Sequence, residues 1–270
     1  MTTAEISAGG LIREWRTRRR MSQLDLAMEA EISQRHLSFV ESGRAAPSRE
    51  MVLHLAEQLS IPLRHRNRLL LAAGFAPSFS ERSLGDATMA PAMAAVEMVL
   101  KGHEPFPALA VDRHWNLVMA NAAVAPLLAD VKEASLLTPP VNVLRLSLHP
   151  GGIASRIVNL WEWRAHLLQR LNHQNDASGD AELIELEREL RRYPSGAKAG
   201  RPAPLAANPI FHPLRLAHGD QVLSFISTIT VFGTPLDVTL SELAIESFFP
   251  ADEQTRAVLV RLASERAGQS

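Results

Sequence analysis

The chain has 270 residues, 46% hydrophobic and 21% charged, a composition typical of a globular protein of about two domains. It contains no cysteine, which excludes disulfides, cysteine-ligated zinc and a thiol nucleophile. The net charge of −1 hides a division along the chain. Residues 1–82 hold 12 Arg and no Lys against 9 acidic residues, a net +3, whereas the remainder carries 16 basic and 20 acidic residues, a net −4. A basic N-terminal part followed by an acidic remainder favours nucleic-acid binding by the N-terminal part.

The N-terminal segment MTTAEISAGG lacks the charged start and apolar run of a signal peptide. No window approaches about 18 uninterrupted apolar residues, the length that a membrane-spanning helix needs. We therefore expect a cytoplasmic protein without a membrane partner.

Residues 11–59 contain two short helical patterns that begin eleven residues apart. Ser22 and Ser33 are good N-caps, and each precedes apolar residues at helical spacing. Two short helices so close together form a helix-turn-helix, which places its second helix in the DNA major groove. In that second helix Leu37 and Val40 share one face, and the opposite face carries Gln34, Arg35 and Ser38.

These polar residues suit the reading of DNA bases. Gln pairs bidentately with adenine and Arg with guanine. Alone, the same helix would be read equally well as an ordinary amphipathic surface helix, but the flanking motifs favour DNA binding. The run Arg18–Arg20 is either a solvated helix end or a phosphate contact.

Residues 11–60 resemble the lambda-repressor-like, or XRE-family, helix-turn-helix domain. The matching residues are Arg16, Ser22-Gln23, Leu26-Ala27, Ser33, Leu37-Ser38, Val40-Glu41-Ser42-Gly43-Arg44, Pro47-Ser48 and Leu55-Ala56. The resemblance implies a partly buried ion pair between Arg16 and Glu41, base contacts from Gln34 and Arg35, and phosphate contacts from Gln23, Ser42 and Arg49. Phe39 departs from the family, in which a polar residue is frequent there; it could contact a thymine methyl or simply pack. The predicted DNA-binding set is Gln23, Ser33, Gln34, Arg35, Ser38, Phe39, Ser42, Arg44 and Arg49.

The rest of the chain divides into a connector and a second domain. We predict an all-α five-helix domain over residues 1–76, then a polar linker and a connecting helix over 77–105, and an α/β domain over 106–270. The connecting helix, rich in Met and Ala, serves either as a connector or as part of a dimer contact.

The second domain alternates strand and helix signals. Strands are expected at 108–111, 116–120, 211–216, 222–232 and 238–247, the last three as an antiparallel meander. Helices are expected at 121–128, about 153–171, 181–193 and 253–263, with an exposed Pro-rich loop at 194–209. The strand, Asp-containing turn, strand, Asn and helix at 108–128 resemble the opening of a PAS-type sensor domain.

From residue 63 to about 262 the chain also resembles the MmyB-like regulators, which join an XRE head to a PAS-like ligand-binding domain. The motifs are residues 67–77 (NRLLLAAGFAP), 104–108 (EPFPA), 112–116 (DRHWN), 121–123 (NAA), 148–151 (LHPG), 230–235 (TVFGTP) and 248–252 (FFPAD) with Thr255. The resemblance implies a PAS-like α/β domain with an antiparallel sheet and a small apolar, fatty-acyl-like ligand, such as a bound fatty acid.

A sheet with helices over one face can leave an apolar cleft for such a ligand. His149 and His212 could hydrogen-bond a ligand head group, and Arg145 or Arg215 could meet a carboxylate. Each aromatic candidate could equally be a core residue. The candidate ligand-binding residues are Trp115, Met119, Trp161, Phe211, His212, Phe225 and Phe232.

Enzyme motifs are absent from the sequence: there is no GxSxG, GxxxxGK or GxGxxG, and the histidines are scattered. We therefore expect no catalytic residues, no metal and no cofactor beyond the apolar ligand. The sequence predicts a regulator that binds double-stranded operator DNA, as a homodimer because one recognition helix covers only a few base pairs. The competing interpretation is a ligand-binding or protein-interaction module that uses the helix-turn-helix as a scaffold; a hydrolase is a third, for which no motif speaks.

Overall fold

The computed structural model describes residues 7–195, 212–233 and 235–268. Its contacts divide the chain into two compact units. The first is the N-terminal part up to Ser83 together with residues 235–241, and the second is formed by the remaining described residues. The predicted domain boundaries at 76 and 105 stay predictions.

The N-terminal unit is helical, as the sequence predicts. Its helices are α1 (Ala8–Arg18), α2 (Gln23–Glu29), α3 (Gln34–Glu41), α4 (Arg49–Gln58) and α5 (Leu63–Ala72).

Serine N-caps set where four of these helices begin. The side chain of Ser7, Ser22, Ser33 or Ser48 accepts a hydrogen bond from the backbone N–H three residues later, at 3.1–3.2 Å. Such a cap satisfies one of the amides that a helix start leaves without a partner. Each cap is followed by an inward apolar face, and the unit's core is Ile12, Trp15, Leu26, Leu37, Val40, Val52, Leu55, Leu59, Ile61, Leu69 and Leu70.

The polar stretch that follows α5 is held by a buried side chain. Asn67 accepts hydrogen bonds from the backbone N–H groups of Ser78 (3.0 Å) and Phe79 (3.1 Å), and donates to the Phe79 carbonyl (2.7 Å). The start of the predicted linker is therefore fixed to the helical unit.

The second unit is built on a five-stranded antiparallel sheet, which confirms the predicted class of this domain. Its strands are β1 (Ala108–Val111), β2 (Leu117–Ala120), β3 (Leu214–His218), β4 (Gln221–Val231) and β5 (Ala244–Pro250), in the order β2-β1-β5-β4-β3. Its helices are α6 (Ala90–Gly102), α7 (Ala125–Leu128), α8 (Val143–Leu148), α9 (Leu160–Ser178), α10 (Ala181–Arg192) and α12 (Glu253–Ala267), while α11 (Val238–Ser241) lies in the first unit.

The core of the second unit lies between the sheet and helices α8, α9, α10 and α12. It is mostly aliphatic, as the low aromatic content requires, with Trp115, Trp163 and Phe225 as its large aromatic members. The sheet residues of this core come from β1, β3 and β4, and the helices cover them.

Two predicted elements of the α/β domain begin later than the sequence suggests. The strand expected at 238–247 begins only at Ala244, because the Asp237 carboxylate accepts the N–H groups of Thr239 (2.9 Å) and Leu240 (3.3 Å) and so caps the short helix α11. The helix expected from residue 153 begins at Leu160. Residues 154–156 form only a short 3-10 helix, and the Val158 N–H then donates to the Arg215 carbonyl of β3 (2.8 Å), so the α-helix begins after this segment.

Other boundaries move less. The first strand of the expected meander runs over Leu214–His218 rather than 211–216, and the second ends at Val231. The helix expected at 181–193 is present as Ala181–Arg192. Residues 196–211, which include Phe211 and most of the expected Pro-rich loop, lie outside the described residues.

Candidate nucleic-acid interface and apolar cavity

Helix α3 presents two opposite faces, as its sequence pattern predicts. Leu37 and Val40 are fully buried against the helical core, whereas Gln34 and Arg35 at the start of the helix are exposed. Ser38 is half-buried, and Ser33 caps the helix through the His36 N–H. An amide and a guanidinium are thus held on a rigid helix, in the form that major-groove reading requires.

Phe39 lies between two arginines on the same surface. The guanidinium carbon of Arg35 is 5.4 Å from the Phe39 ring centroid, and that of Arg44 is 5.9 Å away. Cations over an aromatic face at this distance are attracted by the ring quadrupole. Phe39 therefore lies against the side chains of Arg35 and Arg44, a placement that the sequence pattern alone did not reveal.

The ion pair between Arg16 and Glu41, which the family resemblance implies, is present. Arg16 Nε lies 2.6 Å from Glu41 Oε1 and Arg16 Nη2 lies 3.0 Å from Oε2, so the contact is bidentate. Arg16 Nη1 also donates to the Met21 carbonyl at 2.7 Å. The hydrogen bond to Glu41 raises the pKa of Arg16, which as an arginine is charged in any case. The pair ties α1 to the end of α3, which fixes the recognition helix on its support.

Three predicted phosphate contacts have intramolecular partners in the absence of DNA. The Gln23 side-chain amide donates to Glu41 Oε2 at 2.7 Å, and Arg49 Nη2 donates to Ser78 Oγ at 2.7 Å. The Ser42 hydroxyl donates to the Phe39 carbonyl at 3.3 Å. Gln23 is half-buried, whereas Ser42, Arg44 and Arg49 are exposed. Their roles toward DNA stay predictions.

The second unit contains an apolar cavity of about 100 Å³ between the sheet and helices α8 and α9. Its walls are almost entirely hydrocarbon, and Ser147 and Glu246 contribute the polar groups. The remaining lining residues include Leu109, Val143, Leu144, Ile153, Trp163, Leu167, Leu216, Phe225 and Phe248.

Of the predicted ligand-binding residues, Phe225 lines this cavity and several others do not. Trp161 is 60% exposed, whereas Trp163, two residues further along α9, is buried and lines the cavity. Trp161 therefore does not line this cavity, and its role toward a ligand stays a prediction. Phe211 lies outside the described residues.

Four more candidates lie away from the cavity lining. Trp115 is buried in the core and donates to Gln174 Oε1 at 2.8 Å. Met119 is a half-buried residue of β2, His212 is half-buried with its ring 5.3 Å from that of His166, and Phe232 is half-buried just after β4. None of these four is among the residues that line this cavity, and their roles toward a ligand stay predictions.

The candidate head-group cation Arg145 is also engaged. Its guanidinium donates to both carboxylate oxygens of Glu189 at 2.8–3.0 Å, which raises the pKa of Arg145 and lowers that of Glu189. His149 Nδ1 accepts from the Gly151 N–H at 3.0 Å. The described residues of the cavity wall therefore include no arginine or histidine.

Instead, the charged group of the cavity is a carboxylate that sequence reasoning missed. Glu246 on β5 is 5% exposed and pairs with Arg170 of α9, whose Nη1 is 3.2 Å from Glu246 Oε1. Arg170 in turn stacks on Trp115, with its guanidinium carbon 4.2 Å from the ring centroid. Burial raises the pKa of Glu246, an effect that Arg170 and a hydrogen bond with Ser227 oppose.

A helix-turn-helix with a polar recognition face, followed by an α/β domain with an apolar cavity, defines a one-chain DNA-binding regulator. Comparison with known families agrees: residues 12–65 match the helix-turn-helix family, and residues 92–262 match the MmyB-like transcription regulator ligand binding domain. The second match spans more than half of the chain, and the protein belongs to this family of transcription regulators. It is a regulator and not an enzyme, since both families consist of DNA-binding or ligand-binding domains.

No curated protein matches the chain. Within the described ranges, no helix combines the length and apolar character needed to cross a bilayer.

Proposed function

We propose that this regulator recognises a specific operator through α3 and senses a small apolar ligand in the cavity of its second unit. The observation that carries the first part is the pair of exposed side chains, Gln34 and Arg35, on a helix whose other face is fully buried. Two good bidentate base contacts would supply about 1–3 kcal/mol of discrimination each.

The experiment uses DNA selected from a random pool by the wild-type protein. Affinities for selected and scrambled duplexes are measured at one fixed salt concentration, because phosphate contacts make affinity salt-dependent. Gln34→Ala with Arg35→Ala should reduce the ratio of the two affinities by about tenfold or more. A matched control, Gln169→Ala with Arg192→Ala, removes the same two side chains from exposed positions of α9 and α10 and should leave the ratio unchanged.

The same experiment separates the regulator from a module that uses the helix-turn-helix only as a scaffold. A scaffold requires the fold but not its polar face. If the double variant keeps the wild-type affinity ratio while its circular dichroism is unchanged, the operator-reading proposal is wrong and the scaffold interpretation replaces it.

We further propose that the ligand is apolar and of the fatty-acyl type. What supports this is the hydrocarbon wall of the cavity, to which Trp163, Phe225 and Phe248 contribute aromatic rings. The cavity of about 100 Å³ is smaller than the roughly 300–1,000 Å³ of drug-sized ligand sites, so a long chain would have to widen it. Short-chain probes of about eight carbons are therefore the first ligands to test.

The proposal includes two further features: a PAS-like fold of the second unit and assembly of the protein as a homodimer. The PAS-like classification of the second unit is supported by the β1–turn–β2 opening, in which Asp112 accepts the N–H groups of His114 (2.8 Å) and Asn116 (2.9 Å). A homodimer acting on a palindrome in the cytoplasm is supported by the few base pairs that one recognition helix can cover and by the need to reach DNA. Light scattering would contradict the dimer if the protein were monomeric both alone and on DNA.

A further inference from the structure

The ionisable residue in the wall of the cavity is Glu246, and its chemistry restricts the ligand. Strand β5 alternates, so that Ala244, Glu246 and Phe248 face the helices, and a carboxylate stands between two apolar residues. The side chain is one of the few acidic groups buried in the described part of the chain. A buried carboxylate is costly unless hydrogen-bond donors surround it.

The hydrogen-bond donors around Glu246 occupy only some of the acceptor sites of its carboxylate. An ionised carboxylate has about four acceptor sites on its two oxygens. The contacts of Glu246 are Arg170 Nη1 at 3.2 Å and a hydrogen bond with Ser227. This leaves acceptor capacity on a group that lines the cavity.

The cation of this pair is less accessible to a ligand than its anion. Arg170 lies over the Trp115 ring and is not part of the cavity wall, whereas Glu246 is. A ligand carboxylate at this end of the cavity would therefore meet the Glu246 carboxyl group before it could reach Arg170, and two carboxyl groups in contact disfavour each other's ionised form. Ser147, the other polar wall residue, already accepts a hydrogen bond from Trp163 Nε1 at 3.0 Å.

We propose that Glu246 selects the ligand head group: the cavity takes an apolar chain that ends in an uncharged hydrogen-bond donor, such as a hydroxyl or amide, in preference to a free carboxylate. This inference rests on the proposed apolar ligand and names its head-group class. Within the fatty-acyl type it favours alcohols and amides over fatty acids. Glu246 is then a specificity-determining residue for binding.

The test compares three probes of similar length by isothermal titration calorimetry on the full chain. Octan-1-ol carries a donor, 1-methoxyheptane has the same number of non-hydrogen atoms without a donor, and octanoate carries a negative charge. We expect octan-1-ol to bind about tenfold or more tightly than either of the others, the size of one hydrogen bond to a charged group. In Glu246→Gln, which keeps an acceptor for Arg170 but removes the charge, the preference over octanoate should fall to about threefold or less.

The matched control is Glu265→Gln, an exposed glutamate of α12, which should keep the wild-type preferences. Octanoate binding to the wild type as tightly as octan-1-ol would overturn the head-group proposal and leave an apolar ligand in place. Equal binding of the alcohol and the ether would overturn it in the same way. If none of the three probes binds, the proposed apolar ligand fails as well. The comparison of the three probes on the wild-type protein tests the head-group proposal even if Glu246→Gln does not fold.

Discussion

Both units of this regulator contain a buried pair of arginine and glutamate, and the two pairs differ in how completely they are satisfied. In the helical unit, Glu41 receives two bonds from Arg16 at 2.6 and 3.0 Å and a third from Gln23 at 2.7 Å. In the α/β unit, Glu246 has a single contact with Arg170 at 3.2 Å and a hydrogen bond with Ser227. The first carboxylate faces packed helices, whereas the second lines a cavity.

The difference shows how the same pair of residues can serve two purposes. A closed bidentate network fixes the geometry of the helices that carry it, as a DNA-reading surface requires. A pair with remaining acceptor capacity beside a cavity can respond to a ligand. The closed pair therefore suits a DNA-binding domain whose helices keep one geometry, and the pair beside the cavity suits a ligand-binding domain.

The largest expected effect comes from removing Glu41 from its network of hydrogen bonds with Arg16 and Gln23. Glu41→Ala leaves Arg16 as a buried charge without its partner, which should cost about 3–5 kcal/mol of stability. Hydrogen exchange of the α1 and α3 amides in the full chain measures this loss separately from the second unit. Gln23→Ala, which leaves the ion pair in place, is the control and should cost much less. A small effect of Glu41→Ala would contradict the view that this closed network fixes the helical unit.

The second-largest effect is on how stability depends on pH, and it concerns the pair of Glu246 and Arg170 beside the cavity. Because the folded-state pKa of Glu246 is raised above its unfolded value near 4.3, its favourable contribution is complete below that pH and is lost as pH rises through the folded pKa. Arg170→Leu removes the opposing cation and should enlarge the total loss, by about 1.4 kcal/mol for each further unit by which the folded-state pKa rises. Denaturation of wild type and variant between pH 4 and 8 measures the difference. Identical pH profiles would mean that Arg170 does not stabilise the ionised carboxylate.

A smaller effect tests the start of α2, which carries Gln23. Ser22 accepts from the Asp25 N–H at 3.1 Å, and Asp25 accepts from the Ser22 N–H at 2.7 Å, a reciprocal capping box. Ser22→Ala should cost about 1 kcal/mol of helical-unit stability, whereas Ser22→Gly should cost only a few tenths. Chemical denaturation monitored through the signals of the α2 amides measures the stability of each variant. Equal losses of stability in Ser22→Ala and Ser22→Gly would contradict the capping role.

The smallest effect concerns the DNA-reading surface without any change in the fold. Phe39→Leu removes the ring that attracts Arg35 and Arg44, an interaction worth about 0.5–1 kcal/mol at an exposed site. Affinity for selected DNA should fall by about two- to fivefold, with octan-1-ol binding unchanged. An unchanged DNA affinity would assign Phe39 to packing alone.

The sequence predicted the helical unit closely because its signals are local. Serine caps at fixed distances from apolar residues define the start of four of its five helices, and Leu37 with Val40 defines the inward face of α3. The Arg16–Glu41 pair came from the family resemblance, since no local pattern links two residues 25 positions apart.

The cavity was harder to predict because its residues come from distant parts of the chain. Glu246 and Arg170 are 76 positions apart and meet only when β5 packs under α9. The expected strand at 238–247 did not reveal the buried position of Glu246. In the observed strand, Ala244–Pro250, this glutamate lies between two inward-facing apolar residues. Trp161 and Trp163 both lie on α9, and the helical pattern alone does not show which of them lines the cavity.

The central claim is that one chain joins DNA reading in its first unit to ligand binding in its second. The most direct test is the affinity for selected DNA, measured with and without saturating octan-1-ol. The variant Val143→Phe, which fills the cavity wall, serves as the ligand-blind control. The account predicts that octan-1-ol changes the wild-type Kd for DNA by about fivefold or more, the lower end of typical allosteric coupling, and leaves the Kd of the variant unchanged. An unchanged wild-type Kd, with octan-1-ol binding verified by calorimetry, would contradict it.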